Sequence, residues 1–140
     1  MSRSPLPKFV NDVKNDFAEI SDSSVTTILT AGADGNRLEN LVFTTDDSAA
    51  LSANVFIEVP AVGTYQIASI AIPAEAGTVD TVPSVDGLNS TDNPWISSDS
   101  HSNTFVDIEG ANKLEVQAVG LTAGKVLNVF ASSKNLSADS

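Results

Sequence analysis

The sequence has no cysteine and only one histidine among its 140 residues. Disulfide bonds, thiolate metal sites and cysteine nucleophiles are therefore excluded, and so is a metal site built on a pair of histidines. Basic residues are also scarce, since 7 Lys and Arg stand against 18 Asp and Glu and give a net charge of −11. This charge repels nucleic-acid phosphates and anionic lipids, so we expect neither nucleic acid nor a membrane as a partner.

Long apolar runs are missing as well. No segment approaches the roughly 20 apolar residues of a transmembrane helix, and the first residues are not followed by the apolar region of a secretory signal. Hydrophobic residues nevertheless make up 41% of the chain, in short runs. This is enough to build a core, and the length fits one domain. We therefore predict a folded, soluble, single-domain protein.

From Val25 onward the sequence carries the alternating pattern of half-buried strands. Residues 25–31 and 38–45 flank an Asp34-Gly35 turn, which predicts a β-hairpin. A shift of phase near Ala68 and Ser69 indicates a β-bulge. The other strand-like segments are residues 51–59, 65–72, 79–82, 104–108, 114–119 and 126–131. About eight short strands with turn residues between them predict an all-β fold, an antiparallel sandwich or jelly roll.

The N-terminal segment follows a different pattern. Its apolar residues are spaced by three and four: Phe9, Val10, Val13, Phe17 and Ile20. This spacing predicts a short helix, which either packs on its own domain or forms an arm that reaches a partner. We divide the chain into an N-terminal arm (1–22), a β-sandwich domain (23–133) and a polar tail (134–140) that we expect to fray. If the arm serves attachment, deletion of residues 1–22 leaves the sandwich folded.

Trp95 is the only tryptophan, and it lies in a polar segment, residues 84–103, between Pro94 and Ile96. It suits three roles: a ligand platform, an anchor in a subunit interface, or a cap over the end of the sandwich. A buried anchor predicts that Trp95→Ala costs about 3–5 kcal/mol. An exposed platform predicts a change within about 0.5 kcal/mol.

The candidate catalytic and metal-binding residues form no recognisable site. His101 has Ser and Asp neighbours, but adjacent residues on one loop do not converge as a catalytic triad does. The segment from Asp86 to Asp92 lacks the alternating acidic residues and the closing Glu of a calcium loop. A glycosidase carboxylate pair is compatible with the acid count, but 6 Phe, 1 Tyr and 1 Trp leave few aromatic sugar platforms. We therefore expect no enzyme activity, no metal and no cofactor.

Several segments resemble small virion proteins of tailed bacteriophages. The stretch Thr26–Leu41, with Arg37-Leu38-Glu39 after its turn, resembles their opening strands. The similarity continues through Asn54–Ile57, Asn93–Ile96, Leu114–Ala118 and Lys125–Ala131. It spans about residues 25–131, rests on strand and turn patterning, and supplies no catalytic residue. The segment from Pro5 to Ile20 has no counterpart in this resemblance.

Such virion proteins are similar to capsid decoration, or cement, proteins. The resemblance implies a β-sandwich homotrimer on the capsid exterior, with the major capsid protein as its partner. For a capsid or subunit interface, the candidate residues are Lys8, Phe9, Val13, Phe17 and Trp95. The alternative is a carbohydrate-binding or adhesin module of a phage tail or head fibre, in which Trp95 and Tyr65 would stack on sugars. A sandwich-fold hydrolase fits the sequence least.

Overall fold

The computed structural model describes residues 8–91 and 93–138. In this part of the chain there are ten strands and no helix. Accordingly, none of its segments is a helix long and apolar enough to cross a membrane. The strands are β1 Lys8–Ile20, β2 Thr26–Thr30, β3 Asn36–Thr45, β4 Leu51–Val59, β5 Gly63–Ile72, β6 Val85–Asp86, β7 Ser97–Ser98, β8 Thr104–Ile108, β9 Lys113–Val119 and β10 Leu127–Ala138.

The strands form two antiparallel sheets. Sheet A has the order β1-β10-β3-β8-β7, and β6 pairs with the far end of β3. Sheet B has the order β2-β9-β4-β5. The buried side chains of both sheets form one hydrophobic cluster. The predicted all-β antiparallel sandwich is therefore confirmed.

The core follows the alternation of the strands, because every second residue points to the same side of a sheet. On β3 and β10 the inward residues are almost fully buried, and on β4 and β9 the same holds for the facing sheet. The largest fully buried hydrophobic side chains of the two sheets are Leu38, Leu41, Phe43, Leu127 and Val129 from sheet A and Leu29, Ile72, Leu114 and Val116 from sheet B.

The predicted N-terminal helix is wrong, because this segment forms strand β1. It pairs with β10 along its whole length, from Lys8 opposite Ala138 to Ile20 opposite Leu127. Ile20 is buried in the core. The expected fraying of the tail is also wrong up to Ala138, since these residues continue β10 and pair with β1. Residues 139–140 lie outside the described part of the chain.

The predicted β2–β3 hairpin is wrong as well, although its turn is present. The Gly35 N–H donates to the Gly32 carbonyl at 3.0 Å, and Gly35 has a φ of 94°. The chain then crosses from sheet B to sheet A, because β2 pairs with β9 and β3 pairs with β10 and β8. Asn36 stabilises this crossing: its Oδ1 accepts from the Gly32 N–H at 2.9 Å, and its Nδ2 donates to Ser133 Oγ at 3.1 Å.

The remaining predictions hold in part. β4 and β5 form a hairpin whose bulge lies at Ile67, one residue before the expected position. Residues 79–82 contain only an isolated bridge between Val79 and Val82. The long segment from 84 to 103 carries two strands of two residues each, β6 and β7.

Candidate interaction face on sheet A

The side of sheet A that is turned away from sheet B, here called the outer face, carries exposed aromatic side chains. Phe17 of β1 lies opposite Phe130 of β10, which lies opposite Val42 of β3. Directly opposed residues share a face and have Cβ atoms about 5 Å apart. Phe17 is 67% exposed and Phe130 is 37% exposed. Val13, four residues before Phe17 on the same strand face, is 60% exposed.

A β-bulge in β3 adds polar residues to this face. Ser132 pairs with Asn40 and Ser133 pairs with Leu38, so Glu39 is an additional residue in β3. As a result both Glu39 and Asn40 lie on the outer side, while the residues before and after them remain buried. The bulge therefore keeps the alternation of buried core residues intact and places the Glu39 carboxylate beside β10. There, Glu39 Oε1 lies 2.7 Å from Lys134 Nζ.

Arg37 is held rigidly on the same face. Its Nε donates to Asp107 Oδ1 at 2.8 Å and its Nη2 donates to Asp107 Oδ2 at 3.2 Å. Its guanidinium carbon also lies 4.0 Å from the centre of the Phe105 ring. The hydrogen bonding of Arg37 to the Asp107 carboxylate contributes most to raising the pKa of Arg37 above its usual value. The bidentate pair and the ring contact fix the orientation of the guanidinium group.

Arg37, Glu39 and Lys134 border a groove of about 530 Å³ on this face. Its lining includes Arg37, Glu39, Asp99, Asn103, Phe105 and Lys134. Asp99 organises one wall, because it accepts from the backbone N–H of His101 at 2.8 Å and from the backbone N–H and the Nδ2 of Asn103 at 3.0 and 3.1 Å. The side-chain hydrogen bond from Asn103 contributes most to lowering the pKa of Asp99. The groove is therefore polar and its ionic side chains have partners.

The Ser, His and Asp residues of the β7–β8 loop do not form a triad. Asp99 binds the backbone amide of His101, whereas an orienting carboxylate would bind the imidazole. The ring Nδ1 of His101 lies 3.4 Å from the hydroxyl of its neighbour Ser100. Within residues 8–91 and 93–138, no three His, Asp or Glu side chains are grouped to hold a metal ion.

The structure places the predicted interface residues in two regions. Val13 and Phe17 lie together on the outer face of sheet A. Lys8 and Phe9 begin the same strand, opposite Ala138 and Ser137, but their side chains lie outside the described part.

Trp95 lies in the β6–β7 segment and is 46% exposed, and the next residue, Ile96, is buried. Tyr65, the other candidate for sugar stacking, lies on β5 of sheet B and is 52% exposed. The groove is lined by neither ring. The two candidate sugar platforms therefore do not meet at this site.

Sequence reasoning missed Phe130, Arg37 and Lys134 as members of the face. Phe130 did carry a signal, since it is a large apolar residue in the polar phase of its strand, between the inward Val129 and Ala131. Lys134 joins the face only because β10 continues beyond Ala131, and the polar composition of the tail gave no sign of this continuation.

Comparison with known protein families finds no matching family, and comparison with curated proteins finds no significant match.

Proposed function

We propose that the chain is a non-enzymatic structural protein of a bacteriophage virion. In this role it binds the outer surface of the capsid, with the major capsid protein as its partner, through the outer face of sheet A. The observation that carries the proposal is the exposed pair Phe17 and Phe130, placed side by side in the register of β1 and β10. The segmental resemblance to phage virion proteins supplies the identity of the partner.

The physical properties of the face support a docking role. Monomeric soluble proteins rarely expose large contiguous apolar patches, and such patches mark interaction sites. Farther along the same face, Lys134 lies opposite Val13 of β1 and Arg37 of β3, and Arg37 and Lys134 are each bound to an acidic side chain. An apolar centre with a satisfied polar rim is the usual anatomy of a protein interface. Because Arg37 is already fixed, little side-chain entropy would be lost when a partner contacts it.

Co-sedimentation with shells that lack this protein tests the proposal. Phe17→Ser and Phe130→Ser should each weaken shell binding at least about tenfold, as truncation of buried aromatic anchors does. Tyr65→Ser is the matched control, because it removes an exposed ring of sheet B and should leave binding unchanged. Failure of the wild-type protein to bind shells, or equal effects of all three substitutions, would overturn the proposal.

The polar groove favours a second candidate, a carbohydrate-binding or adhesin module. Carboxylate, amide and guanidinium groups around an aromatic ring can bind sugar hydroxyls, and the groove brings Asp99, Asn103, Arg37 and Phe105 together. A glycan array separates the two candidates. Glycan binding that is lost in Arg37→Gln and kept in Phe17→Ser would favour the adhesin. An array without signal, together with shell binding, would favour the capsid role.

A further inference from the structure

We propose that two copies of this chain associate by antiparallel pairing of their β1 strands, around a two-fold axis that passes close to Asn15. β1 is the last strand of sheet A, and among the described residues only β10 pairs with it. Its other edge therefore presents unpaired backbone donors and acceptors, which can template a further strand. Pairing across the axis would join the two A sheets into one continuous sheet. This proposal does not depend on capsid binding, and its two-fold pair differs from the homotrimer that the phage resemblance implies.

The other long edge, β5, is less suited to pairing. Its bulge at Ile67 lies in the middle of the strand, and a bulge twists and interrupts an edge. The C-terminal part of β5 also borders a depression of about 330 Å³, which is lined by Ser69 and Ala71 of β5 and by Val85 and Asp86 of β6. In β1 the register shift lies near the start, between Val10 and Asp12. The stretch from Asp12 to Ile20 is thus a regular open edge.

Two of the charges of β1, those of Lys14 and Asp16, complement each other under this symmetry. With Asn15 opposite Asn15 of the second copy, Lys14 lies opposite Asp16 of the second copy, and the reverse pair forms across the axis. Both side chains lie on the inner side of the strand, in line with the inward residues Ser133 and Ala131 of β10. Each of the two interfacial cations would therefore meet a carboxylate.

Asp16 lacks a full set of partners among the described residues. Its Oδ2 is covered by protein, and no hydrogen-bond donor in residues 8–91 and 93–138 reaches it. Lys14 Nζ lies 3.9 Å from this oxygen, beyond hydrogen-bond distance. A covered carboxylate oxygen without a donor is costly. A second cation, Lys14 of the other copy, would stabilise this carboxylate at the strand edge.

The outer side of β1 is complementary as well. The same axis places Val13 opposite Phe17 of the second copy, twice. These two residues are among the most exposed large hydrophobic side chains of the described structure, at 60% and 67%. Cross-strand contact between an aromatic and a β-branched side chain is favourable. Pairing would therefore bring these apolar side chains into lateral contact, with the outer face of the sheet still open to a partner, and neutralise charge on the inner side.

Charged side chains on the inner side of an edge strand can also serve to prevent pairing. Such protection acts through an unpaired charge that would be buried opposite a neutral or like-charged residue. Lys14 and Asp16 are of opposite sign and two residues apart, so the antiparallel copy supplies the opposite charge at each of these two positions. Asp12, on the same side of the strand, is exposed and lies opposite Ala18 of the second copy. The arrangement favours this one register over others, and we therefore assign it to association.

Sedimentation equilibrium of the full chain over a concentration series provides the first test. The wild-type protein should show a monomer–dimer equilibrium. Lys14→Glu and Asp16→Lys each create two like-charge pairs across the axis and should weaken the dimer at least about tenfold. Lys113→Glu is the matched control: it changes the net charge as Lys14→Glu does and reverses one member of a similar 3.7 Å pair, with Glu58 on sheet B. It should weaken the dimer far less.

A mixture of the two variants gives the sharper test. The Lys14→Glu chain carries two acidic residues at these positions and the Asp16→Lys chain carries two basic ones, so they should form a heterodimer although neither pairs well with itself. Hydrogen exchange of wild-type protein should also show concentration-dependent protection of β1 amides, which does not require that any variant folds. A wild-type monomer or trimer, a dimer insensitive to both reversals, a mixture without heterodimer, or β1 exchange independent of concentration would each overturn the proposal.

Discussion

At the scale of single residues, Asp47 is a polar group that connects two loops. Its side chain is buried, and its carboxylate accepts from the Thr122 N–H at 2.7 Å, the Thr122 hydroxyl at 2.9 Å and the Ala49 N–H at 2.9 Å. Asp47 thus fastens the β3–β4 connection to the turn after β9. The hydrogen bond from the Thr122 backbone contributes most to lowering the pKa of Asp47.

This lowered pKa predicts how stability depends on pH. Because the pKa of Asp47 in the folded protein lies below the unfolded value of about 4, the carboxylate contributes stability above about pH 4. That contribution is lost as the pH falls through the folded pKa. Asp47→Asn should lower the urea midpoint at neutral pH and flatten its fall in acid. Asp99→Asn should change the midpoint less, since Asp99 binds only within an exposed loop. Identical acid profiles for wild type and Asp47→Asn would contradict the prediction.

The exposure of Trp95 and the burial of Ile96 predict different losses of stability when each residue is replaced by alanine. Trp95 keeps nearly half of its surface exposed, and Ile96 is 6% exposed. Trp95→Ala should therefore cost less than about 1 kcal/mol, and Ile96→Ala about 2–4 kcal/mol. Urea unfolding of both variants measures the difference. A larger loss for Trp95→Ala would show that the indole, and not the isoleucine, anchors this segment.

At the scale of strands, local patterns were predicted and long-range pairing was not. β8 coincides with the predicted residues 104–108, and β9 starts one residue earlier than expected. Val13 and Phe17, four residues apart, share a face in a helix and in a strand alike, so their spacing cannot distinguish the two. Pairing with β10, more than 100 residues away, decides the outcome. The same pairing orders the polar tail, whose composition alone indicates fraying.

The candidate site, too, was predicted only where local sequence patterns define it. Val13 and Phe17 were predicted as interface residues from the spacing of apolar residues in the N-terminal segment, the least acidic part of the chain. Phe130 and the ion pairs of Arg37 and Lys134 join them only through the register of β1, β10, β3 and β8. Register depends on contacts between distant strands, which one sequence does not reveal.

The strand β1 reverses the expectation for N-terminal truncation. Deletion of residues 1–22 removes the partner of β10 and the buried side chain of Ile20. Loss of one such core side chain costs about 2–5 kcal/mol, within a total stability of about 5–15 kcal/mol. The truncated chain should therefore unfold or melt far below the full chain in a thermal scan. Deletion of residues 1–7 leaves every described strand whole and should have little effect. An unchanged transition after the longer deletion would contradict the place of β1 in the sheet.

At the scale of the whole molecule, the net charge opposes association of two copies, whereas the local charge complementarity of β1 favours it. Each copy carries −11, and two copies side by side have centres about 30 Å apart, by the size expected of 140 residues. Their mutual repulsion extends over this distance when the Debye length is also about 30 Å, at about 0.01 M salt. The ion pairs between Lys14 and Asp16 act only at contact, and exposed pairs contribute less than about 1 kcal/mol each.

Salt should therefore strengthen the proposed β1 dimer. Raising the ionic strength from about 0.01 M to about 0.15 M shortens the Debye length to about 8 Å, so the repulsion between the two acidic bodies is screened while the strand contact remains. We expect the dissociation constant to fall by about an order of magnitude over this range, measured by sedimentation equilibrium. The Lys113→Glu chain, with a larger net charge, should show a steeper dependence. Dimerisation that weakens steadily with salt would show that ion pairs dominate the contact and would contradict this balance of forces.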